Sequence, residues 1–92
     1  MSGAIVVGRV RVKNEEKWAL YRAGVGETLK RFHADVIFRG RLSDCHRDDI
    51  VVIGFPDIGA AHEWHQSVQY QGLIPLRDEA ATVTLEFFQD TP

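Results

Sequence analysis

From Ala4 to Val12 the chain alternates as a strand does, with Val6, Val10 and Val12 on one face and Gly8 between them. Ile5 and Val7 occupy the other face, followed there by Arg9 and Arg11, so the first half of the strand is apolar on both sides. Asn14 is a good helix N-cap, and Glu15 and Glu16 stand at the positive end of the helix dipole. Trp18, Tyr21, Val25, Leu29 and Phe32 then recur at steps of three and four, the stripe of an amphipathic helix. Gly24 and Gly26 weaken its middle by up to about 1 kcal/mol each relative to alanine, which points to a kink or a close contact. Val36 to Leu42 reads as a second strand, with Val36, Phe38 and Leu42 on one face and Ile37, Arg39 and Arg41 on the other. A polar loop over 43–49 joins it to Ile50–Phe55, whose unbroken apolar run marks a central strand. Pro56 stops that strand, and Asp57 caps a second helix with an inward stripe of Ala60, Ala61, Trp64 and Val68. The pattern breaks after Ser67; 70–79 suits a short helical or turn segment interrupted at Pro75. Thr82 to Phe88 closes the chain as a strand with Val83, Leu85 and Phe87 inward.

The order βαββαβ is the ferredoxin-like, split βαβ motif of the α+β class, a four-stranded antiparallel sheet with both helices on one face. The opposite face then carries Ile and Val from the first and third strands with nothing over them, and an apolar face of that size marks an interaction site. Packing two copies face to face solves the problem, so the pattern predicts a homodimer, to be broken by charge at whichever of Val51 or Ile53 faces outward.

The chain has 92 residues, one domain over 1–92, with no internal repeat or linker. A net charge of -2 argues against nucleic acid and against an anionic membrane surface as partners. The single cysteine, Cys45, excludes an intramolecular disulfide and a cysteine-based zinc site and fits a reducing, cytoplasmic setting. The N-terminus reaches Arg9 too soon to predict a signal peptide or a membrane span.

Ser67, Tyr70 and Arg77 are the most suggestive chemical group, here read as ligand-binding residues near the end of the second helix. Arginine offers a planar fork to a carboxylate, and a tyrosine hydroxyl orients a ligand or passes a proton. The scaffold reading stands beside it: Ser67 caps the following turn, Tyr70 belongs to the core, and Arg77 pairs with Asp78 or Glu79. His62 and His65, three apart on a helix, lack the spacing and third ligand of a zinc site and read as solvated or partly packed. Cys45-His46 with Asp48 and Asp49 reads as an exposed loop, because neighbours in an extended segment point apart. Arg9, Arg11, Arg39 and Arg41 are assigned to one sheet face, either as a basic rim attracting an anion or paired with Glu86 or Asp90 across the dimer. No metal and no cofactor is expected.

The string Phe55-Pro56-Asp57, Ala60-Ala61, Trp64, Ser67, Tyr70-Gln71, Leu76-Arg77 and Ala80-Ala81 resembles the signature of the small bacterial proteins grouped as domain of unknown function 1330. The resemblance implies a dimeric α+β barrel, two ferredoxin-like subunits with their sheets packed together. The wider superfamily includes cofactor-independent monooxygenases, haem-degrading enzymes and lactone isomerases, but the family carries no settled reaction, and a fold does not transfer one. The reading adopted is a small homodimer that binds a carboxylate or aromatic metabolite between sheet and helices. An oxygenase or isomerase on the same barrel, using Tyr70, Arg77 and a histidine base, and a structural or regulatory dimer without ligand remain as alternatives.

Overall fold

The computed structural model describes residues 3–43 and 48–91. Four strands, β1 (Ala4–Val12), β2 (Asp35–Arg41), β3 (Asp48–Phe55) and β4 (Ala81–Gln89), form one antiparallel sheet in the order β2-β3-β1-β4. The two most apolar strands, β1 and β3, are the inner pair. All the helices lie on one face: α1 (Glu15–Lys30), α2 (Ile58–Gln66), α3 (Val68–Gln71) and α4 (Ile74–Ala80). Between them and the sheet sits the core, where Val6, Ile53, Ala61, Trp64 and Tyr70 are at most 4% exposed. Gly8 belongs to this packing, since a Cβ there would come within 2.9 Å of Val51.

Local rules set the element ends. The Asn14 side chain accepts from the Lys17 amide at 3.0 Å and the Asp57 side chain from that of Ala60 at 2.7 Å, so both predicted caps are made. In α1 Gly24 serves a close contact, unlike Gly26: Leu73 lies where a Gly24 Cβ would stand, at 2.8 Å, seating α1 against the segment that opens α4. Phe32 lies past the end of α1, and Thr28, outside the predicted stripe, is buried instead.

Three expectations need correction. Val68 is not on an inward stripe but 83% exposed, because Ser67 is extended (ψ 147°), ends α2 and resets the helical phase. Pro75 does not interrupt a helix; it opens α4, where its missing N–H has no partner to lose. The third concerns β2. Its register against β3 shifts between Val36 and Phe38, a β-bulge, so Val36 stays opposite inward-facing Ile53 while Phe38 and Gly40 lie opposite Val52 and Ile50. The bulge turns Phe38 to the open face and Arg39 and Arg41 to the helix side, parting them from Arg9 and Arg11.

On the open face the register aligns Ile5, Val7 and Arg9 of β1 with Gly54, Val52 and Ile50 of β3. Phe88 flanks Ile5 on β4, and Ile37 and Phe38 add exposed apolar surface on β2. Val51 and Ile53 both face the helices, so the outward positions of β3 are Ile50 and Val52. The arginines here pair within the chain, Arg9 with Glu86 at 3.1 Å and Arg11 with Asp48 at 2.9 Å.

Candidate functional site: an aromatic cavity under helix α1

Ser67, Tyr70 and Arg77 do come together. The extended Ser67 caps α3, its Oγ accepting from the Tyr70 amide at 3.2 Å and donating to the Trp64 carbonyl at 2.7 Å. This fixes Tyr70, fully buried, with its ring 4.3 Å from that of Trp64. Arg77 donates from Nη1 to the Tyr70 hydroxyl at 3.1 Å, and its Nε meets Asp78 at 3.2 Å. The Tyr70 hydroxyl lies 2.9 Å from that of Tyr21 on α1. Guanidinium only donates, so Tyr70 accepts from Arg77, while either hydroxyl can donate in the Tyr21–Tyr70 bond. The hydrogen bonds thus link Arg77, Tyr70 and Tyr21 in one chain.

Tyr21 stands on the wall of a cavity between α1 and the sheet, of about 60 Å³. Val10, Val25, Leu29, Ile53 and Leu85 give it an apolar floor, Trp18 and Trp64 join Tyr21 as aromatic walls, and Arg22 and Arg39 complete the lining. Ser67, Tyr70 and Arg77 are not part of that lining; they hold Tyr21 from behind. A second, broader hollow of about 700 Å³ lies mostly on the open face around Arg9, Arg11, Phe38 and Ile50.

Electrostatics sorts what these groups can do. Burial raises the Tyr21 pKa, and the neighbouring Tyr70 raises it further, so Tyr21 remains a neutral phenol throughout the physiological range. Burial opposes the charge on Arg77, but hydrogen bonds to Tyr70 and Asp78 outweigh it and raise its pKa, keeping the guanidinium charged. No carboxylate or histidine lines the cavity among the described residues, so the arrangement suits holding and orienting a ligand better than abstracting a proton.

The family model for the domain of unknown function DUF1330 matches residues 3–90. The chain belongs to that family. Within this DUF1330 chain, Trp64, Ser67, Tyr70 and Arg77 are the residues of the string at 55–81 that brace the cavity's aromatic wall. None of the curated proteins matches the sequence. Similar solved structures include a protein of unknown function from Rhodopseudomonas palustris (17% identity, TM-score 0.79, covering 99% of this chain and 84% of that one). SnoaB, a cofactor-independent oxygenase from Streptomyces nogalater, is similar at 12% identity and TM-score 0.77, covering 100% of this chain and 96% of that one. A conserved protein from Methanosarcina mazei Go1 is similar at 13% identity and TM-score 0.69, covering 99% and 95%. At these identities the likeness establishes the α+β, ferredoxin-like fold of the DUF1330 chain, and its function has to be argued from the site.

The histidines lie elsewhere. His62 stacks on Phe87 with ring centroids 5.0 Å apart, and His65 packs edge-on to Phe87 and against the far side of Tyr70. Among the described residues no three metal-ligating side chains cluster. Nor is any helix there long and apolar enough to cross a membrane. Cys45 and His46 lie outside the described residues. The His65 pKa falls below its ordinary 6.5, first through burial and then through Arg77 and His62. The unfolded chain therefore takes up this proton more readily than the folded one, and stability falls as pH drops through about 6.5 toward the folded pKa. The melting temperature should be lower at about pH 5 than at about pH 7.5, and His65→Gln should remove part of that fall. An unchanged pH profile in the variant would assign the acid sensitivity to other groups.

Sequence reasoning did not single out Arg22, Thr28 or the pairing of Tyr21 with Tyr70. Arg22 follows Trp18 by one helical turn, a spacing that places both on one side of α1 and was the available signal.

Proposed function

We propose that this protein is a homodimer, joined through its open sheet faces, that binds a small molecule in the cavity under α1. One observation carries the binding reading: an aromatic cavity whose tyrosine is held from behind by buried Tyr70, itself bonded to half-buried Arg77. Three large aromatic side chains and two arginines are ordered around a void that a packed core would fill. Ser67, Tyr70 and Arg77 then serve the site by fixing Tyr21 and Trp64. The enclosed space takes only a few heavy atoms, and the rest of a ligand sits at the mouth. The oxygenase or isomerase alternative needs a base at the cavity, and His65 stands behind Tyr70 instead. Dimerisation is supported by the apolar face of β1, β3 and β2, left bare by helices that all pack on the other side.

The experiment uses the tryptophans. The chain has two, Trp18 and Trp64, and both line the cavity, so their emission reports its occupancy. Gly26 also lines it, and a Cβ there meets nothing within 4 Å, so Gly26→Leu should plug the mouth while improving helix propensity. Phenylacetate, butanoate and their amides are the probes. At least one should give a saturable emission change in the wild type that Gly26→Leu weakens more than about tenfold. No saturable response from any probe, or an unchanged response in Gly26→Leu, would overturn the binding reading.

A further inference from the structure

We propose that Arg22 and Arg39 form an anion clamp at the mouth of the cavity and select a carboxylate whose short apolar body enters it; this rests on the binding reading above. The first observation is a census of partners. Among the described arginines, Arg9, Arg11, Arg41 and Arg77 each reach an acidic side chain within 3.2 Å. Arg22, Arg31 and Arg39 make no such pair, and two of these three line the same cavity. In a chain whose net charge is -2, acidic partners are not scarce, yet among the described residues this pair is left without one.

The second observation is how Arg39 arrives there. Without the bulge between Val36 and Phe38, strand alternation would put Arg39 on the open face together with Ile37. The extra residue turns it to the helix side, opposite Val51, where it reaches the cavity. Bulges re-aim side chains in this way beside binding sites. Arg22 comes to the same mouth from α1, one turn beyond Trp18. Helix α1 and strand β2 thus deliver like charges to one apolar opening.

That juxtaposition is unfavourable in the free protein. The Arg39 pKa is lowered, first by partial burial and then by the Arg22 charge, and among the described residues no carboxylate acts against it. An anion placed between the two relieves both effects, and a carboxylate fits the planar fork of guanidinium with two parallel hydrogen bonds. The floor of Val10, Val25, Leu29 and Ile53 asks in turn for carbon, not water or a second charge. A small monocarboxylic acid, alkyl or single-ring, meets both demands, whereas inorganic phosphate meets only the first.

The test pairs each acid with its own amide, using tryptophan emission of the full chain as the readout. Phenylacetate and butanoate should bind the wild type at least about tenfold more tightly than phenylacetamide and butanamide. R22Q and R39Q should each erase most of that preference while leaving amide binding in place; Arg39→Lys should keep part of it. Arg31→Gln, removing an unpaired arginine outside the lining, should change nothing. Equal binding of acid and amide in the wild type, or an acid preference that survives R22Q and R39Q, overturns the clamp while the cavity reading stands. Inorganic phosphate competing as strongly as the acids overturns the ligand class. Absence of binding by every probe removes both readings together.

Discussion

An aspartate in place of Val52 is expected to abolish self-association of the protein. Val52 is the outward residue at the middle of the inner strand β3, directly opposite Val7 on β1 and Phe38 on β2. In a two-fold face-to-face dimer each such position is used twice, once per protomer. Burying an unpaired carboxylate costs several kcal/mol, and two copies weaken association by more than about a thousandfold. Light scattering should give the wild type about twice 10.4 kDa at micromolar concentration and the variant about 10.4 kDa, with the helical circular-dichroism signal kept. Val68→Asp is the control: Val68 is more exposed than any large apolar residue of the sheet face, but on the helix layer, and its substitution should leave the dimer intact. A monomeric wild type, or a Val52→Asp variant that remains dimeric, would remove the interface from the open sheet.

What the sequence disclosed about this fold follows the range of the physics involved. Asn14 and Asp57 act through hydrogen bonds to amides three residues on, and such local rules read directly from the chain. The continuous run Ile50–Phe55 declares an inner strand, whose one side packs on the helices while the other stays apolar on the open face. The β2 bulge escapes, because alternation along one strand does not record the register against its neighbour. One inserted residue moved Phe38 outward and Arg39 inward, and with it an expected basic sheet face divided. Val68 escaped for a similar reason: a single extended residue, Ser67, restarts the helical phase.

The candidate site divides in the same way. Ser67, Tyr70 and Arg77 lie on adjoining short helices, so their mutual contacts are within reach of a sequence reading. Tyr21 meets Tyr70 across 49 positions, and Trp64 meets Thr28 across 36. Neither pairing leaves a trace in local pattern. Thr28 looks like a polar residue of the exposed face until the indole that needs its oxygen is known. Arg22 and Arg39 become a pair only after the bulge and the docking of α1 are both in place.

The indole contact bears on the last expected result, which is that Trp64→Ala removes most of the domain's stability. Trp64 is 1% exposed, lies 5.5 Å from Phe55 and 4.3 Å from Tyr70 between ring centroids, and donates from Nε1 to Thr28 Oγ1 at 2.9 Å. Removing so large a buried side chain costs about 3–5 kcal/mol through lost transfer energy and the void left behind. Small domains hold only about 5–15 kcal/mol in all. The Thr28 hydroxyl keeps its own donation to the Val25 carbonyl at 2.8 Å but loses the indole, the polar link between α2 and α1. Trp64→Phe separates the two contributions: it refills much of the volume but leaves Thr28 without its donor, and should cost clearly less than the alanine variant. Since Trp64 also forms part of the cavity wall, the alanine variant that still folds should hold a larger cavity and admit a larger acid. Urea unfolding followed by circular dichroism measures both variants. A Trp64→Ala protein with the midpoint of the wild type would show that α1 is held over the sheet by Leu73 and the tyrosine pair alone, with the indole serving the cavity and not the scaffold.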